Sequence, residues 1–299
     1  MTPDAAGPDG APRISVVVIA LNEGEYLRST VESLEATLPP DSEILVVDDG
    51  SVDGSAEFLS GAEGALRLVR SNGLGVARAR NWGARQTKGD ILVFADAHIQ
   101  LPPEWLPPLL AALDSPQVGA VAPAVYDLDA SQNKGFGLYL KGPDLRAGWL
   151  HRRGNEPYPV PIAPGCCLAM RREIFQATGG FDDGLLSRGG VDNELGLRFW
   201  LLGYELRIVP SVAVGHLFRR VSPYSVSWTT YLHNGIRLAL LHLGTDRIAR
   251  VLEALEKHSA FQAALALAKQ GEIGPRRAEL EARQVYSDDW FFQRFGPEW

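Results

Sequence analysis

The first third of the chain alternates between short apolar runs and segments in which apolar residues recur at helical spacing. The apolar runs are rich in β-branched residues, as buried strands are, and they cover residues 14–20, 43–48, 66–70 and 91–95. Between them, apolar spacing predicts helices over residues 24–38 and 75–86. Strands that alternate with helices in this way favour an α/β fold with a doubly wound, mostly parallel sheet and right-handed crossovers.

The second half of the chain is less regular. We predict strands over residues 118–125, 165–170 and 205–209 and helices over residues 103–113, 171–178 and 191–202. Segment 126–164 is rich in Gly and Pro and has no clear period, and a connection of that length is usually functional. The remaining pattern predicts helices over residues 226–243, 246–270 and 275–284, followed by an aromatic tail.

This pattern predicts three parts. Residues 1–12 contain Pro, Gly, Ala and Asp without an apolar core, so we expect a disordered lead-in. Residues 13–222 form the main α/β domain, and residues 223–299 form a helical C-terminal extension packed on it. The leucine-rich face of the first helix in this extension favours core packing over association with a membrane.

Composition narrows the class of protein. The chain has 299 residues and a net charge of −7, which gives no reason to expect nucleic acid as a partner. Its two cysteines, Cys166 and Cys167, are adjacent and cannot build a disulfide framework or a zinc site, which suits a reducing compartment such as the cytoplasm. No run of 18 apolar residues occurs, so we expect no transmembrane anchor.

Two candidate metal ligands, Asp96 and His98, lie just beyond the end of the fourth predicted strand. In an extended chain residues i and i+2 point to the same side, so this carboxylate and imidazole could hold one cation together. Open α/β sheets also bind ligands at the carboxyl ends of their strands. By itself the pair is equally compatible with an Asp that caps the next turn beside a surface His.

Several motifs occur together with that pair. The first half contains Ala20-Leu-Asn-Glu23, Val47-Asp-Asp-Gly-Ser51, Ala79-Arg-Asn-Trp-Gly83 and Phe94-Ala-Asp-Ala-His98. In order and spacing these resemble family 2 glycosyltransferases with the GT-A fold. In the second half, the motifs at residues 165–170, 179–182, 189–200 and 208–219 resemble the polypeptide N-acetylgalactosaminyltransferases. The resemblance covers about residues 13–220.

The resemblance implies a UDP-sugar donor and a divalent cation held by Asp96, His98 and His216. The cation would neutralise the charge that develops on the departing diphosphate. Mixed oxygen and imidazole ligands suit Mn²⁺ better than Mg²⁺. Without the resemblance, a lone residue such as His216 is more often structural.

Donor-binding residues are expected mainly in the first half. Ala20, Asn22 and Glu23 lie at or just past the end of the first strand, and Asp49 follows the second strand, where it could accept the imide N–H of uracil. The alternative for Asp49 is a tight turn with a helix cap. The remaining candidates are Arg80 and Asn81, near the phosphates, with a surface ion pair as the alternative for the arginine, and Gly189 and Gly190, which let backbone approach the sugar.

Asp192 is the candidate catalytic base. In the family 2 pattern an acidic pair opens this helix, whereas here the first member is Val191. The galactosaminyltransferases have Asn at the position of Asp192 and retain the anomeric configuration, so a carboxylate here favours inversion. An Asp at a helix start is also a common cap. The aromatic residues Trp149, Tyr158 and Trp200 could stack on sugar or acceptor, although such residues more often belong to a core.

Three kinds of function remain open. The first is a metal-dependent glycosyltransferase that acts on a hydroxyl of a peptide, a glycan or a small molecule, by inversion or by a retaining, galactosaminyltransferase-like mechanism. The second is a nucleotidyltransferase, but the acidic stretch from Asn22 to Glu25 is a poor site for a free triphosphate. The third is a non-catalytic binding module, which would not need Asp96, His98, Asp192 and His216 together.

Overall fold

The chain forms a large mixed sheet with helices on both faces. The computed structural model describes residues 12–219, 221–223, 225–297 and 299, so the predicted lead-in lies almost wholly outside the described residues. The strands are β1 Ile14–Ala20, β2 Glu43–Asp48, β3 Leu66–Arg70, β4 Ile91–Asp96, β5 Ile99–Gln100, β6 Val118–Asp127, β7 Ala130–Gly135, β8 Leu138–Leu140, β9 Ala147–Trp149, β10 Tyr158–Pro159, β11 Cys167–Arg171 and β12 Glu205–His216.

Helices connect and cover these strands. They are α1 Glu25–Thr37, α2 Val76–Arg85, α3 Leu106–Ala112, α4 Arg172–Thr178, α5 Val191–Leu201, α6 Trp228–His242, α7 Thr245–Leu255, α8 Phe261–Gln270, α9 Ile273–Glu281 and α10 Asp288–Phe295. A short 3₁₀ turn spans Glu57–Leu59. No helix within the described ranges combines the length and the apolarity needed to cross a membrane.

The parallel half of the sheet brings the candidate donor residues together. Strands β3, β2, β1 and β4 are neighbours in that order and all run parallel. Ala20 lies opposite Asp48, and Ile19 lies opposite Asp96. The carboxyl ends of β1, β2 and β4 therefore meet at one edge, where α/β folds bind their ligands.

The second half of the sheet adds antiparallel strands. Strand β11 runs antiparallel to β4 and β6, and β12 runs parallel to β6. The end of β12 also pairs with the short strand β5, which places His216 opposite Ile99. Two sequence regions far apart thus reach the same edge of the sheet.

The structure confirms most predicted elements and corrects two regions. The predicted helix 246–270 is two helices, α7 and α8, with a break in which Nδ1 of His258 accepts a hydrogen bond from the Ala260 N–H. Such local side-chain bonds compete with helix continuation. The aperiodic segment 126–164 contains strands β7 to β10, including the β8–β9 hairpin. The leucine face of α6 is buried in the core, as expected.

Candidate active site

Asp96, His98 and His216 form one cluster at the carboxyl edge of the sheet. Asp96 is the last residue of β4, His98 follows two residues later, and His216 is the last residue of β12. One possible ligand atom from each side chain lies within 4.8 Å of the others. Nε2 of His216 is 3.5 Å from Oδ2 of Asp96, and the two imidazole rings are 4.8 Å apart between centroids.

Glu23 stands behind His98. Nδ1 of His98 lies 3.0 Å from Oε2 of Glu23, which is 5% exposed. A carboxylate accepts hydrogen bonds, so Nδ1 carries the proton and Nε2 keeps its lone pair for the cluster. Arg219 donates to the same oxygen. Glu23 thus orients His98, and its expected contact with the donor stays a prediction. Sequence reasoning missed Arg219 although it ends the motif 208–219.

Arg80 joins the metal cluster to Asp192. Its Nη2 donates to Oδ1 of Asp96 at 3.0 Å and to the carbonyl of Gly165, and its Nη1 lies 3.5 Å from Oδ1 of Asp192. A β-carbon at position 165 would collide with both Asp192 and Arg80, so only glycine permits this approach. Sequence reasoning placed Gly165 in a motif but missed this role.

The charges set the state of Asp96. Burial raises the pKa of this carboxyl group, but the hydrogen bond from His216 and the positive charge of Arg80 outweigh it and hold the pKa well below its ordinary value. Asp96 is thus ionised at any physiological pH. An ionised carboxylate beside two imidazoles is the donor set that a borderline divalent cation prefers.

Asp192 lies in the first turn of α5 but does not cap it. The N-cap is Gly190, and no side chain caps this helix. Instead, Oδ2 of Asp192 accepts the Gly165 N–H at 2.9 Å. Burial raises the pKa of Asp192, Arg80 and the Gly165 N–H offset this only in part, and Asp96 raises it further. The alternative that Asp192 caps α5 is therefore wrong, because its carboxylate faces Gly165 and Arg80 instead.

Asp49 holds the loop that leads into α2. Its Oδ1 accepts from Ser71 Oγ and from the Leu74 N–H, each at 2.6 Å, and its Oδ2 accepts from the Gly75 N–H at 2.8 Å. A carboxylate has about four acceptor sites, so one site on Oδ2 remains for a ligand. Within the tight turn it is Asp48 that accepts from the Ser51 N–H, whereas Asp49 holds the loop before α2. The uracil contact stays a prediction.

The residues at the end of β1 mainly bond to the loop that follows β2, at the rim of the site. Asn22 has a left-handed backbone (φ 54°), its N–H donates to Ser51 Oγ, and its Oδ1 accepts from the Val52 N–H at 2.8 Å. The carbonyl of Ala20 accepts from the Asp49 N–H. These bonds fix the loops after β1 and β2 against each other, so any donor contact here comes from a rigid rim.

The Asn81 side chain is bonded within the fold. It is buried, its Nδ2 donates to the Phe181 carbonyl and to Asp183, and its Oδ1 accepts from the Phe181 N–H. Its expected place near the phosphates stays a prediction. Gly189 and Gly190 both have positive φ, at 93° and 71°, and lead directly into α5 beside Asp192. Their predicted place at the sugar is compatible with this position.

Two partly exposed aromatic residues, Phe218 and Trp149, lie in line with His216 at the edge of the site. The Phe218 ring lies 4.4 Å from the His216 ring and 5.9 Å from the Trp149 ring, and both aromatic residues are about 40% exposed. The expectation of a core residue was thus wrong for Trp149. It was correct for Trp200, which is buried and donates to the Val160 carbonyl.

The cluster fits a bound cation and an anionic ligand. Nδ1 of His216 and Nη1 of Arg80 are buried and have no hydrogen-bond partner among the described residues. One carboxylate and two imidazoles converge on a single point, and Glu23 orients one imidazole from behind. Carboxylates behind metal-binding histidines are common in such centres.

Two curated relatives match nearly the whole length of this chain. Human polypeptide N-acetylgalactosaminyltransferase 15 is 32% identical over 97% of this chain and 48% of its own length. Polypeptide N-acetylgalactosaminyltransferase 11 of Xenopus tropicalis is 31% identical over 97% of this chain and 51% of its own length. The chain therefore spans about half the length of these curated relatives.

Solved structures share the fold. The crystal structure of GalNAc-T7 with UDP, GalNAc and Mn²⁺ matches with a TM-score of 0.77 and 24% identity, over 94% of this chain and 56% of that one. A mannosyltransferase from Pyrobaculum calidifontis in complex with GDP-Man and Mn²⁺ matches with a TM-score of 0.54 and 22% identity, over 93% and 81%. These matches confirm the predicted GT-A architecture.

Two family models together match the residues that form the site. The model described as the N-terminal domain of galactosyltransferase matches residues 152–221, which include Asp192 and His216. The model described as glycosyl transferase family 2 matches residues 15–179, more than half of the 299 residues, and includes Asp49, Arg80 and Asp96. Because this model matches more than half of the chain, and the fold and the cluster at the sheet edge agree with it, the chain belongs to glycosyl transferase family 2.

Proposed function

We propose that this chain is a Mn²⁺-dependent glycosyltransferase that moves a sugar from a UDP-sugar to an acceptor hydroxyl. The observation that carries the proposal is the cluster of Asp96, His98 and His216, which one guanidinium, Arg80, joins to the carboxylate of Asp192. Inverting transfer from a nucleoside diphosphate sugar needs a charge that neutralises the diphosphate and a base for the acceptor hydroxyl, and the Asp96 cluster and Asp192 would supply these.

The proposed roles follow from position. Asp96, His98 and His216 would hold Mn²⁺, with Mg²⁺ as a weaker substitute, and the cation would supply charge neutralisation for the diphosphate. Arg80 supports Asp96 and has a buried N–H available for the donor. The loops after β1 and β2, with Ala20, Asn22 and Asp49, would enclose the nucleoside. Gly189 and Gly190 would face the sugar.

Asp192 is the proposed base. Its carboxylate takes the proton of the acceptor hydroxyl while the hydroxyl oxygen attacks the anomeric carbon and UDP departs with the bonding electrons of the broken C–O bond. A single displacement inverts the anomeric centre. The raised pKa of Asp192, caused mainly by burial, improves a carboxylate as a base near neutral pH.

The names of the relatives indicate the donor sugar and the acceptor class. Relatives named polypeptide N-acetylgalactosaminyltransferases cover nearly this whole chain, so we propose N-acetylgalactosamine as the sugar and a polypeptide hydroxyl as the acceptor. A glycan or a small-molecule acceptor is the alternative to a peptide. The same relatives favour a retaining mechanism as the second candidate, in which Asp192 would bind sugar hydroxyls instead.

Two further predictions from sequence belong to this proposal. We keep the division into a catalytic domain of residues 13–222 and a helical extension of residues 223–299. We also keep a cytoplasmic location, which rests on two adjacent cysteines that remain free thiols in the structure.

A direct assay tests the function. The purified chain is incubated with UDP-N-acetylgalactosamine, a Ser/Thr peptide library and Mn²⁺, and UDP release and peptide mass are measured. We expect UDP release and a mass gain of one N-acetylhexosamine, both abolished by EDTA and restored by Mn²⁺. Full activity in EDTA, or the absence of UDP release with every common UDP-sugar and acceptor class, would contradict the proposal.

A further inference from the structure

Helix α6 presents three side chains to the turn that leads into α5. Tyr231, Asn234 and Arg237 are spaced by three residues and so share one face of the helix. Arg237 forms a bidentate pair with Asp182, with distances of 2.6 and 2.8 Å. The Tyr231 ring fills the space where a β-carbon at Gly189 would lie. Asn234 binds the turn of residues 186–190 between these two contacts, and we call these residues the entry turn.

The amide of Asn234 is fully used and completely buried. Its Oδ1 accepts from the Leu186 N–H at 2.8 Å and from Nδ1 of His233 at 3.0 Å. Its Nδ2 donates to the carbonyls of Leu186 and Gly189, both at 2.8 Å. A primary amide has two donors and two acceptor sites, so this set of bonds is complete and fixes one orientation of the side chain.

The backbone of the entry turn needs such support. Ser187, Gly189 and Gly190 all have positive φ, at 50°, 93° and 71°. A non-glycine residue such as Ser187 adopts this conformation only when its surroundings impose it. From the other side the Ser187 carbonyl accepts from the Val76 N–H at 2.8 Å, and the absence of a β-carbon at Gly75 makes room for it. The turn is therefore held between α2 and α6.

The entry turn ends at Gly190, the N-cap of α5, and Asp192 follows within the first turn of that helix. A change in the path of residues 186–190 thus changes the start of α5 and the direction of the Asp192 carboxylate. Asn234 itself contacts the backbone of Leu186 and Gly189 and lies outside the metal cluster. It can act on the reaction only through the turn.

We propose that Asn234 is a positioning residue for sugar transfer: from α6 it fixes the entry turn so that Gly189, Gly190 and Asp192 face the donor sugar correctly. This inference rests on the proposed glycosyltransferase function. It also gives α6, within the helical extension, a supporting role for the active site. Small displacements of reacting groups cost rates of roughly 10²-fold, so the effect of losing this clamp is measurable.

The test replaces Asn234 by Leu, which keeps the number and branching of the heavy atoms and removes the hydrogen bonds of the amide, and by Ser, a milder change in case the Leu variant does not fold. The matched control is Asp288→Leu, which removes another buried polar side chain of the C-terminal helices, one that accepts from the Gly244 N–H and from Arg247. Melting temperature, UDP affinity with Mn²⁺, kcat and amide hydrogen exchange are measured for each.

We expect kcat to fall by about 10- to 100-fold in the Asn234 variants, with the Kd for UDP changed less than about threefold and with faster exchange of the Leu186 amide. The Asp288→Leu control should lose melting temperature but keep kcat when assayed well below its transition. A purely structural role predicts a kcat loss no larger than in the control at an equal loss of melting temperature.

Two results would overturn the positioning role: wild-type kcat in Asn234→Ser or Asn234→Leu, or unchanged protection of the Leu186 amide in both. A wild-type chain that neither binds UDP nor transfers a sugar would instead contradict the proposed function and remove the reaction that Asn234 is inferred to serve. The exchange measurement needs no activity, so these two failures are distinguishable.

Discussion

Nδ1 of His98 lies 3.0 Å from Oε2 of Glu23. The bond fixes the tautomer of His98, because the carboxylate can only accept and Nδ1 must therefore carry the proton. Nε2 of His98 is left with its lone pair in the cluster with Asp96 and His216. Glu23, which the sequence predicted to bind the donor, is thereby hydrogen-bonded to a proposed metal ligand.

We predict that Glu23→Gln weakens Mn²⁺ binding by about 10- to 100-fold, the usual effect of losing a carboxylate behind a metal-binding histidine. The Mn²⁺ affinity is measured by electron paramagnetic resonance on the free chain. Glu57→Gln is the matched control, because Glu57 is an exposed carboxylate paired with Arg70. An unchanged Mn²⁺ affinity in Glu23→Gln would remove Glu23 from the metal centre.

Variants of the three proposed metal ligands should differ in how much transfer activity they lose. His98→Ala and Asp96→Asn should abolish transfer, and His216→Ala should give a milder defect if water replaces the imidazole. Asp96→Asn is preferred to Ala because removal of the side chain would leave the buried guanidinium of Arg80 without this partner. Turnover against Mn²⁺ concentration is the measurement, and wild-type Mn²⁺ dependence in His216→Ala would return that residue to a structural role.

For Asp192→Asn we predict a loss of kcat of roughly 10²- to 10⁴-fold with donor and metal affinity preserved. NMR of the wild-type product should show the anomer opposite to that of the donor. A retained anomer would favour the second candidate mechanism. Because the pKa of Asp192 is raised by burial, the stability this group contributes is lost as pH rises, so the Asn variant should be at least as stable at neutral pH.

The same shift shapes the pH–rate profile. A base works in its deprotonated form, so kcat should rise with pH through the raised pKa of Asp192, above the ordinary carboxyl value of 3.8. This acidic limb should disappear from the residual activity of Asp192→Asn. A limb of the same shape in both proteins would assign it to another group.

A test of Asp49 has to separate the loss of a uracil contact from a disturbance of the loop that Asp49 holds. Its carboxylate holds the Leu74 and Gly75 N–H groups, so Asp49→Asn lowers stability whether or not uracil is bound. If the uracil contact exists, the Kd for UDP should rise by the equivalent of about 1.5–3 kcal/mol while the affinity for Mn²⁺-pyrophosphate stays constant. Equal losses for both ligands would show that the loop alone is affected.

The buried network around Glu194 predicts acid sensitivity of the fold. Burial raises the pKa of Glu194, but Arg198 and the hydrogen bond from His242 outweigh it and hold the pKa well below its ordinary value of 4.5. A depressed carboxyl pKa contributes stability that is fully present above pH 4.5 and is lost as pH falls further. Glu194→Gln should cost about 3–5 kcal/mol at neutral pH and flatten the acid limb of denaturation.

The exposed pair between Arg276 and Glu279 is the control for this experiment. Glu279→Gln should cost less than about 1 kcal/mol, because exposed pairs are screened by water and salt. Urea unfolding at several pH values gives both free energies. Equal costs for the two variants would contradict the structural importance of the Glu194 network.

Local patterns determined the architecture and part of the site. The apolar runs at β1, β2 and β4 and the helical spacing in α1 and α2 predicted these elements to within a residue or two, because periodicity reports directly which face is buried. The pairing of Asp96 with His98 is equally local, since i and i+2 share a side at a strand end. The break between α7 and α8 was missed because it depends on one side-chain bond at His258.

Long-range packing decided everything that joins these pieces. His216 meets His98 only because β12 pairs with β5, and Arg80 meets Asp192 only because Gly165 permits the approach. Nothing in the sequence indicated that Glu23 bonds to His98 or that Asn81 bonds to Phe181. Hydrogen-bond partners distant in sequence leave no period in it, so only the tertiary structure determines which polar group remains for a ligand and which holds the fold together.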